Sequence, residues 1–300
     1  MPPAETKPLV SISCTTYNHE NYIAQTIDSF LAQETSFPIE ILLHDDASTD
    51  RTAAIIRDYA AQRPDIIKPI YQTENQFSQG RRPAPQINYP RAAGKYIALC
   101  EGDDYWTDPL KLQKQVAYLQ AHPEVFLCAH AVRQIDAAGN LLTDSKFGFY
   151  EDRYLTQDEL AFGQFAFPTL SVMFRNAVQV PEFRLLNGDT FTFAYFSNFG
   201  AAYIAGEAMG VHRVHEHGIW SSLDARARYD AVLRTWSAIP AVIDPPRKAL
   251  AYLRYLFVAA DDYSLSRKIR TVPIALLMTL VAIRPNSARF IVKRLFARAN

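Results

Sequence analysis

The 300-residue chain is 49% hydrophobic and carries 31 Lys/Arg against 31 Asp/Glu, a formal net charge of zero. That is enough apolar material for one large domain, and the charge balance argues against general nucleic-acid binding. Cys14, Cys100 and Cys128 stand in apolar, strand-like runs without C-x-x-C spacing, which reads as reduced core in a cytosolic protein.

The N-terminal MPPAETKPLV lacks a basic region followed by an apolar stretch, so no signal peptide is expected. "PLVSISCTTYN" (8–18) is β-branched and apolar and ends in polar residues, a buried strand running into a loop. A helix is expected over 21–33, where Ile23, Ile27, Phe30 and Leu31 share one face. "IEILLH" (39–44) is the second strand and stops at Asp45-Asp46. The helix that follows, from "STDRT", carries Ile55, Ile56 and Tyr59 on one side. "IIKPIYQ" (66–72) reads as a third strand, 74–93 as a long functional loop, and "GKYIALC" (94–100) as a fourth strand. Asp108 and Pro109 suit the N-cap and first turn of a helix to about 121, and a further strand covers 124–136. Residues 140–215 read as loops, strands and a helix near 197–208, and the pattern is helical from about 224 onward.

Alternating strands and helices imply a mostly parallel sheet with helices on both faces. Ligands bind such sheets beyond the carboxyl ends of the strands. "TTYN", "HDDAST" and "EGDDYW" all follow those ends, so three polar clusters converge on one edge. Asp103 and Asp104 are hard oxygen ligands suited to Mg²⁺ or Mn²⁺, and such an ion would relieve their repulsion. A carboxylate at Asp45 or Asp46 suits a ribose hydroxyl or a base N–H, and Tyr17 suits a base face.

"PLVSISCTTYNHENYIAQTIDSFLAQ", "EILLHDDASTDRT" and "GKYIALCEGDDYWTDPLKLQKQ" together resemble family 2 glycosyltransferases of the GT-A fold. The likeness is strong over about 8–125 and loose beyond, and the "CEGDDYW" ending is similar to bacterial surface-polysaccharide enzymes. It implies a GT-A (Rossmann-like) domain over 1–223, with a nucleotide-binding half (8–125) and an acceptor half (126–223). A helical C-terminal region (224–300) follows. It further implies inverting transfer of a sugar from a UDP- or dTDP-sugar to a hydroxyl acceptor, a glycan or lipid-linked glycan, with Mn²⁺ or Mg²⁺ as cofactor.

Carried over by residue, the resemblance gives Thr15, Tyr17 and Asp45 or Asp46 to the nucleoside, and Asp103 and Asp104 to the Asp-x-Asp region that binds ribose and metal. Counting forward from Glu101 makes Asp103 the metal ligand; counting back from Pro109 makes it Asp104, the reading favoured at this point. Asp189, in "LLNGDTFTF", falls where the family places its catalytic base. His215, in "HRVHEHGIWS", falls near the diphosphate or metal, with Arg213 adding positive charge and Trp220 shaping the acceptor side. A zinc site in the same histidine run is a second possibility, although the cysteine partners are missing.

From Arg247 to Asn300 there are eleven Lys/Arg against two acids, Asp261 and Asp262. "PNSARFIVKRLFARAN" alternates apolar and basic positions at helical spacing, which suits either a peripheral contact with an anionic membrane, the reading favoured for a lipid-linked acceptor, or packing on the catalytic domain. The apolar run 271–283 has thirteen residues, short of the roughly 20 a spanning helix needs. Two rival functions stay open. One is a sugar-1-phosphate nucleotidyltransferase, although "SCTTYNHENY" has no Gly-rich basic loop. The other is a non-catalytic nucleotide-sugar binding module.

Overall fold

A computed structural model of the chain describes residues 7–148, 150–163, 166–216 and 218–260. In chain order the strands are β1 (Val10–Thr16), β2 (Ile39–Asp45), β3 (Ile70–Tyr71), β4 (Tyr96–Leu99), β5 (Tyr105–Trp106), β6 (Val125–Asp136), β7 (Leu141–Thr143), β8 (Arg153–Leu155), β9 (Met173–Arg175) and β10 (Ala201–Val214). The helices are α1 (Ile23–Leu31), α2 (Thr52–Gln62), α3 (Tyr89–Arg91), α4 (Lys111–Ala121), α5 (Gln157–Ala161), α6 (Gly188–Phe196), α7 (Ala225–Ala238) and α8 (Pro245–Ala260).

Ten strands form one sheet, with the path β3-β2-β1-β4-β9-β6-β10-β5 and with β7 and β8 paired beside it. The first four strands are parallel. β9 runs against both β4 and β6, and β6 and β10 are parallel again. The sheet is therefore mixed, with the polar loops after β1, β2 and β4 at one edge, as the alternation of elements requires.

Period-two alternation in β1 separates two layers. Val10, Ile12 and Cys14 join Ile23, Ile27 and Phe30 of α1 and Leu112, Val116 and Leu119 of α4 in one core cluster. Ser11 and Ser13 face the other way, and there buried Asn88 closes the polar face. Its amide nitrogen donates to Ser13 Oγ (3.2 Å), the Cys14 carbonyl (3.3 Å) and the Leu42 carbonyl (3.2 Å). Farther along that face, Ile97, Leu99, Phe126 and Phe174 pack on Phe193 and Phe196 of α6. A third cluster joins Ala161, Phe191 and Ala194 to Trp236, Ile239 and Ala251, seating α7 and α8 on α5 and α6.

Three expectations change. The loop over 74–93 holds a π-helical turn (Ala84–Asn88) and α3, because Asn88 has backbone acceptors to reach beneath β1 and β2. The helix expected from Asp108 starts at Lys111. Asp108 instead accepts from the Leu110 N–H (2.8 Å) and from Lys114 Nζ (2.7 Å) across a preceding turn. The helix expected near 197–208 is the strand β10, and the helix lies earlier, as α6. The segment is alanine-rich, which favours helix locally. Pairing with buried β6 overrides that preference, and Gly200 permits the approach: a Cβ there would lie 2.7 Å from the Glu124 carbonyl oxygen. All three cysteines are buried and free.

Candidate active site

Backbone hydrogen bonds draw the strand tips together. Asp46 N–H donates to the Thr16 carbonyl (2.9 Å) and Gly102 N–H to the Thr15 carbonyl (3.0 Å). Asn18, at a left-handed φ of 55°, accepts from the Thr49 N–H through Oδ1 (2.8 Å) and locks the β1 loop to the β2 loop. Thr15 is half-buried, and Tyr17 is exposed beside it.

At the β2 tip the two acids differ. Asp46 accepts from the Gln76 N–H (2.7 Å) and the Phe77 N–H (3.0 Å), with His44 Nε2 3.4 Å away. Burial would raise its pKa, but these partners outweigh burial and hold it below the usual carboxylate range. Asp45 Oδ1 is buried with no hydrogen-bond partner, and burial raises that carboxyl against hydrogen bonds from Ser48. Asp46 therefore fastens the 75–77 segment, while Asp45 Oδ1 is left buried without a protein donor.

The β4 tip repeats the division. Asp104 is 3% exposed, and its Oδ1 accepts from the Arg213 N–H (2.8 Å). Thr26 Oγ1 donates to the carbonyls of Asp104 (2.7 Å) and Gly102 (3.0 Å). Burial, and then the charges of Asp103 and Glu101, push the Asp104 carboxyl well up. Asp103 instead lies between two imidazoles, with His215 Nε2 at 3.0 Å and His19 Nε2 at 3.7 Å from its Oδ2. Burial opposes its ionisation, but His19 and His215 overcome this and bring its pKa down to about 2. Asp103 is thus the acid that joins the two histidines. Asp104, favoured in the sequence reading, is turned into the fold and lies outside the histidine cluster.

Arg213 spans the site. Its Nε donates to the Asp103 carbonyl (3.2 Å), one terminal nitrogen reaches Gln25 Oε1 (2.7 Å), and the guanidinium stacks 4.7 Å from the Tyr22 ring centre. Asp189 opens α6, and its Oδ1 accepts from the Thr190 N–H (2.7 Å). Burial raises its pKa against that bond and the charge of Lys146. Glu101 is driven up to about 8 by burial and by the charges of Asp103 and Asp189. Lys146 is the cation that feels Asp104, Glu101, Asp189 and Asp103 together.

Among the described residues, one group of three metal-ligating side chains comes together: His19, Asp103 and His215, with ligand atoms within 4.8 Å of one another. Ligands bonded at about 2.1 Å to an octahedral ion lie roughly 3.0 Å apart when adjacent and about 4.2 Å when opposite. The set fits a divalent cation, because an ionised carboxylate and imidazole nitrogens face one point. His212 is not in the group, since its Nδ1 meets Gln134 Nε2 at 3.2 Å. His217 lies outside the described residues, and so does the tail segment with the basic, amphipathic pattern. Trp220 is 42% exposed, on the surface after β10.

His19, Glu101 and Lys146 were missed by sequence reasoning as site residues. His19 sits in the quoted "TTYNHENY" loop after β1, and its place beside a strand tip was the available signal.

Parallel strands with acids at their carboxyl edge and a helix-borne aspartate beside them define the GT-A class of architecture. A solved structure of Staphylococcus aureus TarS (residues 1–349) in complex with UDP-GlcNAc superposes with a TM-score of 0.63 at 19% identity, covering 84% of this chain and 72% of that one, a likeness of fold. The family model described as Glycosyl transferase family 2 matches residues 11–180, and the chain belongs to that family. An uncharacterized protein of Mycobacterium tuberculosis, Rv1520, is 42% identical over 217 residues, covering 71% of this chain and 60% of the relative. The putative teichuronic acid biosynthesis glycosyltransferase TuaG of Bacillus subtilis is 37% identical over 114 residues, covering 38% of this chain and 42% of that protein. The chain thus spans less than two thirds of the length of these curated relatives. No helix among the described residues is long and apolar enough to cross a membrane.

Proposed function

We propose that the chain is an inverting glycosyltransferase that moves a sugar from a nucleoside-diphosphate donor, UDP- or dTDP-linked, to a hydroxyl of a glycan or lipid-linked glycan in bacterial surface-polysaccharide synthesis. The observation that carries this is that Asp103 and Asp189 both act on buried Glu101, and that the acid-bearing loops after β2 and β4 are both bonded to the end of β1, in a chain of this family. Residues 8–125 hold the donor, and 126–223 supply the acceptor side. Asp45, whose Oδ1 has no protein donor, accepts from a base or ribose donor, Thr15 lines the nucleoside, and Tyr17 covers a face of the base. The cation, Mn²⁺ or Mg²⁺ held by Asp103 and His215, supplies charge neutralisation at the leaving diphosphate. Arg213 adds a fixed positive charge beside it.

Asp189 takes the proton of the acceptor hydroxyl as its oxygen attacks the anomeric carbon, and the bond to the diphosphate breaks. Burial raises its pKa, the direction that makes a carboxylate a stronger base. Support for a polysaccharide setting comes from the name of TuaG and from the "CEGDDYW" resemblance. A peripheral membrane position at the cytoplasmic face belongs to the same proposal through the basic tail.

The test is a panel of UDP-, dTDP- and GDP-sugars with and without Mn²⁺, read by thermal shift and by donor hydrolysis. A shift with one nucleotide class, together with slow hydrolysis that Asp189→Asn abolishes while binding persists, is the expected result. Binding without turnover would make the chain a nucleotide-sugar binding module, and no binding of any donor would reject the proposal.

A further inference from the structure

We propose that His19 is a third protein ligand of the divalent cation. The centre formed by His19, Asp103 and His215 then binds a transition-metal ion such as Mn²⁺ before any nucleotide arrives, and discriminates against Mg²⁺. The proposal rests on the donor reading for the ion's purpose, and on geometry for its place.

His19 Nε2 points at the same Asp103 oxygen as His215 Nε2, at 3.7 Å against 3.0 Å. The two rings stand at 90° to each other with centres 6.0 Å apart, so both nitrogens converge without stacking. A shift of under an ångström brings His19 Nε2 from 3.7 Å to the roughly 3.0 Å spacing of adjacent ligands that His215 already keeps with Asp103.

The His19 position is fixed by its surroundings. Its N–H donates to Thr52 Oγ1 (2.8 Å), and its carbonyl accepts the first α1 bonds from the N–H groups of Tyr22 and Ile23 (2.9 Å each). On the next residue, Glu20 N–H donates to Asp50 Oδ2 (3.0 Å). Gly102 lets the ring lie against the β4 tip, since a Cβ there would meet His19 Nδ1 at 3.1 Å. A loop held on both sides does not have to be ordered by the ligand, which lowers the entropy lost on binding.

Ligand chemistry sets the selectivity. Mg²⁺ prefers oxygen donors and retains its waters, so sites for it draw on one or two carboxylates and the substrate's phosphates. Two imidazoles with one carboxylate suit Mn²⁺, Fe²⁺ or Co²⁺ better. Three protein ligands also suffice to hold the ion without a diphosphate.

The experiment is Mn²⁺ titration of the nucleotide-free full chain by EPR, followed by pulsed EPR to count the coupled nitrogens. It is run on wild type, His19→Ala and the shape-keeping His19→Gln, with thermal melts to confirm folding. Wild type is expected to bind one Mn²⁺ with two imidazole couplings and to keep it against about tenfold excess Mg²⁺. Both variants are expected to show one coupling and affinity weaker by about tenfold or more. No Mn²⁺ binding without nucleotide, a single nitrogen in wild type, or unchanged affinity in folded variants would each overturn the proposal. Donor binding measured in parallel separates the two claims. A single nitrogen with intact donor binding removes the His19 ligand alone, whereas two nitrogens with no donor bound removes the transferase reading alone.

Discussion

The tips of β2 and β4 each end in two adjacent aspartates, and in each pair the side chains have separate roles. At β2, Asp46 is spent on the backbone of Gln76 and Phe77, while Asp45 Oδ1 is buried with no hydrogen-bond partner. At β4, Asp104 takes the backbone of Arg213, while Asp103 faces two histidines. Adjacent side chains leave the backbone in different directions, so one can anchor the fold as the other meets the ligand. The order is the same at the two tips: the second acid is the backbone anchor in both. Adjacent acids are therefore not interchangeable ligands.

The largest effect that tests this division is expected at β4. Asp103→Asn should lower transfer by about 100-fold or more with a smaller loss of stability than at Asp104, because it removes charge facing His19 and His215 and no backbone anchor. Asp104→Ala should do the reverse. It strands the buried Arg213 N–H, and urea melts should show a loss of about 2 kcal/mol. A stable Asp104→Ala protein would break the comparison.

At β2 the same contrast is expected on a smaller scale. Asp45→Ala should weaken nucleotide binding by about tenfold in calorimetry and leave the melt unchanged. Asp46→Ala should lower stability by about 1–2 kcal/mol, and increased amide exchange at Gln76 and Phe77 would sharpen the assignment.

The pairs also differ in the sign of their pH dependence. The Asp46 pKa is lowered in the fold, so its contribution to stability is present above the unfolded pKa of about 4 and is lost as pH falls through the folded value. The Asp45 pKa is raised, so its ionisation costs stability as pH climbs from about 4 through the folded value. Urea midpoints between about pH 3 and 7 should show Asp46→Asn less stable than wild type at neutral pH and Asp45→Asn no less stable.

The smallest effects lie in the backbone. Ala47, after β2, has φ of 63°, so Ala47→Gly should gain about 0.5 kcal/mol by relieving a left-handed alanine. Gly102→Ala should lose stability instead, since its Cβ would lie 2.6 Å from Thr16 Cβ and Oγ1.

Much of this frame was legible in the sequence. The apolar period of Ile23, Ile27 and Phe30 and the alternation of Val10, Ile12 and Cys14 gave α1 and β1, and the run of strands and helices placed three acid-bearing loops at one edge. The division within each aspartate pair was not legible, because it depends on partners far along the chain: Gln76 for Asp46, Arg213 for Asp104. His19 was missed for the same reason, since its partner Asp103 is 84 residues away (103 less 19). β10 was misread because alanine and glycine carry little period, and its pairing with β6 is a tertiary fact.

The most direct measurement is a calorimetric titration of the donor sugar selected by the nucleotide panel into wild type, Asp103→Asn and Asp104→Asn, with and without Mn²⁺. The account predicts that Mn²⁺ strengthens donor binding in wild type and Asp104→Asn and fails to do so in Asp103→Asn. Metal-dependent binding that survives in Asp103→Asn and vanishes in a folded Asp104→Asn would contradict it.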